Sequence, residues 1–243
     1  MKTLDDPQQV KDLYERIKKS EMYDQTTQMY QTSVNLDSES HEIGRMRAFT
    51  PGWLERESNF LHMSYKYLLE LLKSGLYKQY FEELKTSLVP FLDPAVYGRS
   101  TLENSSFIAT GGNPDPEVHG RGFVARLSGS TAEFLSMWRR MMTGKEVFTV
   151  QDGQLTLTFS PALPSWLFDE TGKISFTFLG STQVTYLNPR RADSFGANAA
   201  VIKKMKLVKR DGTVVECDGA VVQGVDARSV RDGDVAVIEI MME

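Results

Sequence analysis

Apolar and polar positions change their rhythm once along the chain, near Gly144. Before it the spacing is mostly helical, and after it the positions mostly alternate. The first helical stretch opens at Asp5-Asp6-Pro7, where either aspartate can cap free backbone N–H groups and proline suits the first turn. It runs to about Lys19, with Val10, Leu13, Tyr14 and Ile17 on one face. Residues 20–51 are polar and irregular, with an acidic patch from Asp37 to Glu42 and a basic one from Arg45 to Arg47. The pattern then predicts a strong helix from about Trp53 to Lys73. Phe60, Met63, Tyr67 and Leu71 make one stripe, and Leu61, Leu68 and Leu72 widen it until one neighbour cannot cover it. Gly75 fits its stop. Another helix is predicted from about Tyr77 to Leu88, ending before Pro90, and the short connection makes the two an antiparallel pair.

From Pro90 to Gly129 the pattern is loop-like, with four prolines and six glycines. A loop of that length in a compact unit is usually functional or disordered. Tyr97, Phe107, Ile108, Phe123 and Val124 argue against disorder. Ser130 or Thr131 then caps a helix that passes Trp138 to about Met142, and Gly144 ends it. The stretch from Tyr97 to Trp138 therefore reads as a polar ligand-binding loop system feeding a helix.

Beyond Gly144, strands are predicted at Val147–Val150, Leu155–Phe159, Ile174–Phe178, Val184–Leu187, Ile202–Val208, Val214–Cys217 and Val235–Ile240. Turn signals separate them at Asp152-Gly153, Thr171-Gly172, Arg210-Asp211-Gly212 and Asp232-Gly233. The expected class is α+β, with helices and binding loops in 1–145 and a β-sheet domain in 146–243. Short, closely spaced strands favour an antiparallel sandwich or jelly roll for the second part.

Composition acts mainly by exclusion. The formal charge of −4 provides no basic footprint for nucleic acid. No apolar run is long enough to span a bilayer, and the N-terminus lacks the apolar core of a secretory signal. The single cysteine, Cys217, cannot form an intrachain disulfide, so the expected compartment is the cytoplasm. Three separated histidines and one cysteine offer no usual zinc spacing, so no metal is expected.

Several residues could carry chemistry. Ser128-Gly129-Ser130-Thr131 lies at a predicted helix start, where free N–H groups and the helix dipole attract anions. The same residues also suit plain capping of a surface helix. His62 lies within an apolar helix, as a ligand or as a core histidine, with Glu55 and Glu57 before it as candidate acids or bases. Arg121, in His119-Gly120-Arg121-Gly122, could hold a phosphate or carboxylate with two parallel bonds, or sit in a surface turn. Glu103-Asn104-Ser105-Ser106 suits sugar hydroxyls. Trp53, Trp138 and Trp166 could stack on sugar faces or fill a core.

Three strings carry a resemblance: TPGWLERESNFLHMSYKYLLELLKSGLY, YGRSTLENSSFIATGG and HGRGFVARLSGSTAEFLSMW. The chain resembles the C-terminal part of glycoside phosphorylases of the cellobiose phosphorylase group, glycoside hydrolase family 94, and looks most like the 1,2-β-oligoglucan phosphorylase branch. The similarity runs from the first helix through PALPSWLFDETGKISFTFLG and weakens after about Arg190. It implies the last helices of an (α/α)₆ barrel followed by a β-rich domain. The implied reaction is reversible, inverting phosphorolysis of a β-glucoside, with inorganic phosphate as co-substrate and no further cofactor. Phosphate attacks the anomeric carbon while a carboxylic acid protonates the leaving oxygen, in place of the water and base of an inverting hydrolase.

The resemblance assigns phosphate binding to His62, Ser128 and Gly129, with serine where the family has threonine. Glu55, Arg121, Glu103, Asn104, Ser130 and Thr131 are candidate contacts to substrate or phosphate. Ser130-Thr131-Ala132-Glu133 departs from the Thr-Ala-Gly-Trp type of string in better-known members. The family's acid lies well before the histidine segment, and no such motif occurs among the residues preceding His62. The few predicted helices also fall short of a whole barrel. A fragment or split-protein part is therefore expected, inactive alone, with β-glucooligosaccharide, phosphate and an upstream chain as its partners. Missing barrel helices would leave apolar faces bare on the two helices before Pro90. A non-catalytic carbohydrate-binding or structural module is the alternative.

Overall fold

The computed structural model describes residues 3, 4, 6–124 and 128–243, and of Ser128 the backbone alone. Helices and sheets are both present, so the chain is α+β. It divides into two compact units, Met1–Met137 and Trp138–Glu243.

The first unit opens with α1 (Pro7–Lys18), capped by Asp6, whose side chain accepts from the Gln8 N–H. Asp5 lies outside the described residues. Val10 and Tyr14 are the buried residues of α1, as its apolar face requires. Two short strands follow, β1 (Tyr23–Asp24) and β2 (Met29–Tyr30), paired antiparallel. Next come β3 (Asn59–Phe60), α2 (Leu61–Lys73), α3 (Tyr77–Ser87) and the single turn α4 (Pro94–Tyr97). Strands β4 (Phe107–Ile108) and β5 (Gly122–Phe123) then join β3 in a three-stranded sheet of order β3-β4-β5. Helix α5 (Ser128–Thr143) follows, and the division between units falls inside it.

The helix expected from Trp53 begins only at Leu61. Leu54 and Glu57 take left-handed backbone (φ 51° and 53°), which an α-helix cannot contain, and Trp53 bridges to Arg56 instead. The Trp53 ring meets Phe107 and Phe123, with centroids 5.1 and 4.2 Å away. These apolar residues serve an aromatic cluster, which their helical spacing alone does not distinguish from a helix stripe. His62 therefore stands in the first turn of α2 rather than in mid-helix.

The wide apolar surfaces of α2 and α3 are largely buried, contrary to the expectation of bare faces. Leu61, Tyr65, Leu68, Leu69, Leu71 and Leu72 are buried on α2, and Tyr80, Phe81 and Leu84 on α3. Met63 is the exception on α2, 58% exposed. The Glu83 carboxylate lies among these side chains. It accepts from Tyr14 (2.8 Å), Tyr30 (3.1 Å) and the Lys18 ammonium (2.6 Å), so its buried charge is paired.

In the second unit, β6 (Phe148–Gln151) and β7 (Gln154–Thr158) form a hairpin. Its loop is Asp152-Gly153, both at positive φ (50° and 77°), as the sequence signal implies for a two-residue turn. Strands β8 (Lys173–Phe178) and β9 (Thr182–Leu187) make a second hairpin, and β10 (Ile202–Lys209) and β11 (Val214–Asp218) a third. Then come β12 (Val221–Gln223), α6 (Gly224–Asp232) and β13 (Val235–Met242). Strand β12 adds to β7, giving a sheet of order β12-β7-β6. The other sheet has order β11-β10-β13-β9-β8 and is antiparallel except where β13 lies parallel to β9.

Every second residue of the central strands points into one core: Val184 and Tyr186, Met205 and Leu207, Ile238 and Ile240. Leu157 of β7, Val222 of β12, and Ala227 and Val230 of α6 join the same core. Helix α6 occupies a span read from the sequence as part of a strand-to-strand connection. Gly233, expected as a hairpin turn, is instead the left-handed cap that ends it.

Candidate functional site

The start of α2 is fixed from outside the helix. Asn59 and Phe60 pair with β4, and the Leu61 N–H donates to Ser106 O at 3.1 Å. This holds His62 at the edge of the loop region, with its side chain 32% exposed. The ring lies against the first turn of α5. A Cβ placed on Gly129 would sit 2.5 Å from His62 Nδ1 and 2.8 Å from Cγ, closer than packing permits. Nε2 of the ring lies 3.6 Å from Oε1 of Glu133, beyond hydrogen-bond distance. Gly129 and Glu133 are one turn apart on the same helix face, so the imidazole spans that turn.

Helix α5 begins at Ser128, two residues before the expected cap positions. Ser130 and Thr131 are therefore first-turn residues and do not cap it. The Ser128 side chain, and Ala125 to Leu127 of the HGRGFVARLSGSTAEFLSMW string, lie outside the described residues. A helix of this length presents backbone N–H groups and the positive end of its dipole at its start. Ser130 is buried, and among the described residues its Oγ has no hydrogen-bond partner. Thr131 is exposed.

Thr131 lines a cleft of about 530 Å³ with Glu103, Asn104, Pro90, Leu102 and Phe134. The structure thus brings together three of the sequence candidates, Glu103, Asn104 and Thr131. Asn104 is held in place because its Oδ1 accepts from the Tyr65 hydroxyl of α2 at 3.0 Å, and the same hydroxyl accepts from the Val89 N–H. Burial pushes the Tyr65 phenol well above the ordinary tyrosine range, so it remains a donor. Glu103 pairs with Arg99 at 3.2 Å, and its carbonyl accepts from the Tyr97 hydroxyl at 2.9 Å.

The remaining candidates lie apart from the histidine. Among the described residues, neither Glu55 nor Arg121 makes a hydrogen bond or ion pair to His62 or to α5. The Glu55 carboxylate is gripped at both oxygens by Arg45. The Arg121 side chain is exposed and lies near Gly98, beside α4. Its neighbour His119 bonds through Nε2 to Asn113 O at 2.8 Å, within the same loop. Glu57 is buried and bonded to the buried Arg56, whose guanidinium also takes Asp37 and the carbonyls of Arg47 and Phe49. That arrangement ties residues 37–57 together and occupies Glu57 structurally. Of the tryptophans, Trp53 belongs to the aromatic cluster, while Trp138 and Trp166 are partly exposed.

Glu133 was not among the expected site residues. Its spacing from Gly129 on one helix face was the available signal; its approach to a histidine far back in the sequence has no local signature. Among the described residues, no group of three or more His, Cys, Asp or Glu side chains is placed to hold a metal ion, and no helix is long and apolar enough to cross a membrane.

No family model matches this chain, and no curated protein matches it.

Proposed function

We propose that this chain carries the phosphate-binding side of an inverting glycoside phosphorylase acting on β-glucosides, of the 1,2-β-glucooligosaccharide kind. The observation that carries the reading is the packing of the His62 ring on Gly129 at the start of α5. Residues far apart in sequence, assigned to one phosphate site by resemblance, are neighbours in space. An imidazole lies there against the first turn of α5, and the positive end of a helix dipole is suited to an oxyanion. The nearby cleft bearing Glu103, Asn104 and Thr131 offers polar groups for sugar hydroxyls.

In this proposal phosphate, held by His62 and the start of α5, attacks the anomeric carbon. The general acid and the other sugar subsites come from the remainder of an (α/α)₆ barrel. The common core of the two sheets in the second unit suits the β-sandwich domain of such enzymes. Bound phosphate and soluble β-glucan are the partners, and no further cofactor is needed.

Isothermal titration of the full chain with inorganic phosphate tests the reading. Binding is expected for the wild type, with a loss of at least about tenfold in affinity, roughly 1.4 kcal/mol, in His62→Ala. Glucan binding that ignores both phosphate and His62 would instead support a non-catalytic carbohydrate-binding module, which the cleft alone could serve.

A further inference from the structure

We propose that the cleft beside α5 recognises two adjacent hydroxyls of a neutral pyranose ring, with the Asn104 amide as donor and the Glu103 carboxylate as acceptor. The proposal rests on the reading of that cleft as the sugar site and is independent of where phosphate binds. The hydrogen bonds of one buried tyrosine fix the amide. Tyr65 is fully buried, and its hydroxyl oxygen accepts from the Val89 N–H at 3.1 Å. Its own proton is left for Asn104, at 3.0 Å, so the atom that meets it is Oδ1. With the amide reversed, two donors would converge on the phenol oxygen and its buried proton would lack an acceptor, a costly arrangement. The amide NH2 is therefore turned from Tyr65, and among the described residues it makes no hydrogen bond. The backbone on either side is clamped too. The Tyr97 hydroxyl donates to Glu103 O at 2.9 Å and accepts from the Ser105 N–H at 2.8 Å. Asn104 is thus preorganised, which lowers the cost of ordering a ligand against it.

Glu103 supplies the complement. It lines the same cleft, with Oε1 held 3.2 Å from Arg99, and among the described residues Oε2 has no partner. An ionised carboxylate only accepts, and an amide NH2 only donates. Phosphate, all acceptors, would satisfy Asn104 and fail at Glu103; an ammonium group would do the reverse. A hydroxyl does both, so two neighbouring hydroxyls on one rigid ring satisfy the pair together. The cleft walls suit the rest of such a ring. Leu102 and Leu135 line it while 96% and 58% exposed, so neither is there to fill a core. Together with Pro90 and Phe134 they offer apolar contact to the C–H faces of a sugar, around a few fixed polar groups.

Nuclear magnetic resonance of the full chain labelled with ¹⁵N, titrated with methyl β-D-glucopyranoside and its 2-, 3- and 4-deoxy forms, tests the inference. The parent sugar is expected to bind saturably and to shift the Asn104 side-chain amide. Neighbouring hydroxyls in this sugar are the 2,3 or the 3,4 pair. The 3-deoxy form should therefore bind at least about fivefold more weakly, and one of the other two with it, while the third binds like the parent. Glu103→Ala removes a half-exposed side chain and should keep the fold. It should weaken the parent about tenfold and abolish the penalty for one of the two impaired deoxy forms but not the other. A 3-deoxy sugar that binds as well as the parent overturns the inference, as does an Asn104 amide that stays still at saturation. In either case binding of the parent leaves the sugar reading of the cleft standing. A wild-type chain that binds no glucoside sinks that reading and this inference with it, and leaves the phosphate titration to decide the phosphate site by itself.

Discussion

At Gly129 the absence of a side chain is a packing requirement. Its φ is not left-handed, so alanine would ordinarily strengthen the helix by about 1 kcal/mol. Here the added methyl would meet Nδ1, Cε1 and Cγ of His62 inside 3 Å, and Cγ sits at the base of the ring, where it cannot rotate aside alone. Gly129→Ala is therefore expected to keep the fold, with a melting temperature close to wild type, while displacing the ring. Phosphate affinity should fall by at least about tenfold, roughly 1.4 kcal/mol, in the same titration used for His62→Ala. Unchanged affinity would mean that the ring and the helix start do not act together. Glu57 gives the contrasting case. It precedes the same histidine, but its burial against Arg56 at positive φ spends it on holding the loop.

Helix α2 organises the site at the scale of elements. Its first turn delivers His62, and its next turn delivers Tyr65, whose hydroxyl joins Asn104 of the cleft to the buried Val89 N–H. Tyr65→Phe leaves that N–H without its partner and frees the Asn104 amide. A loss of about 1.5 kcal/mol is expected in urea denaturation of the full chain, with little change in phosphate binding. Helices α1 and α3 and most of the longer strands were legible in sequence, because caps, period and Asp-Gly turns agree locally. The start of α2 was not, since Trp53 and Phe60 fit a helical stripe and only their cluster with Phe107 and Phe123 decides otherwise. The two-residue strands β3, β4 and β5 have no period to read and exist through one another. Helix α6 was hidden because it follows β12 directly, without a side-chain cap at its start. In the site, His62 and Gly129 were found through resemblance, and their contact and Glu133 needed coordinates.

On the scale of the whole molecule, the buried tyrosines set a limit on alkaline stability. Burial pushes the phenols of Tyr14, Tyr30, Tyr65, Tyr67, Tyr80 and Tyr186 above the ordinary range, and the charge of Glu83 adds to this for Tyr14 and Tyr30. A folded-state value above the unfolded one means that the folded chain holds more protons at high pH. The associated stability is complete below about pH 10 and is lost as pH rises beyond it. The urea midpoint is expected to hold between about pH 7 and 9 and to fall steeply above about pH 10; a flat profile to pH 11 would contradict these assignments. The parallel contact of β13 with β9 has a consequence of a different kind. Strand β13 is synthesised after the other strands of its sheet, yet it lies at the centre of that sheet, between β10 and β9. The β8–β9 and β10–β11 hairpins leave the ribosome first and share no direct pairing until it arrives. Each then waits with an open, pairing-competent edge, and closure depends on contacts distant in sequence, which form slowly. The interval before Val235–Met242 emerges is thus the time when this half of the protein is most open to mispairing with its neighbours, and when a chaperone would matter most.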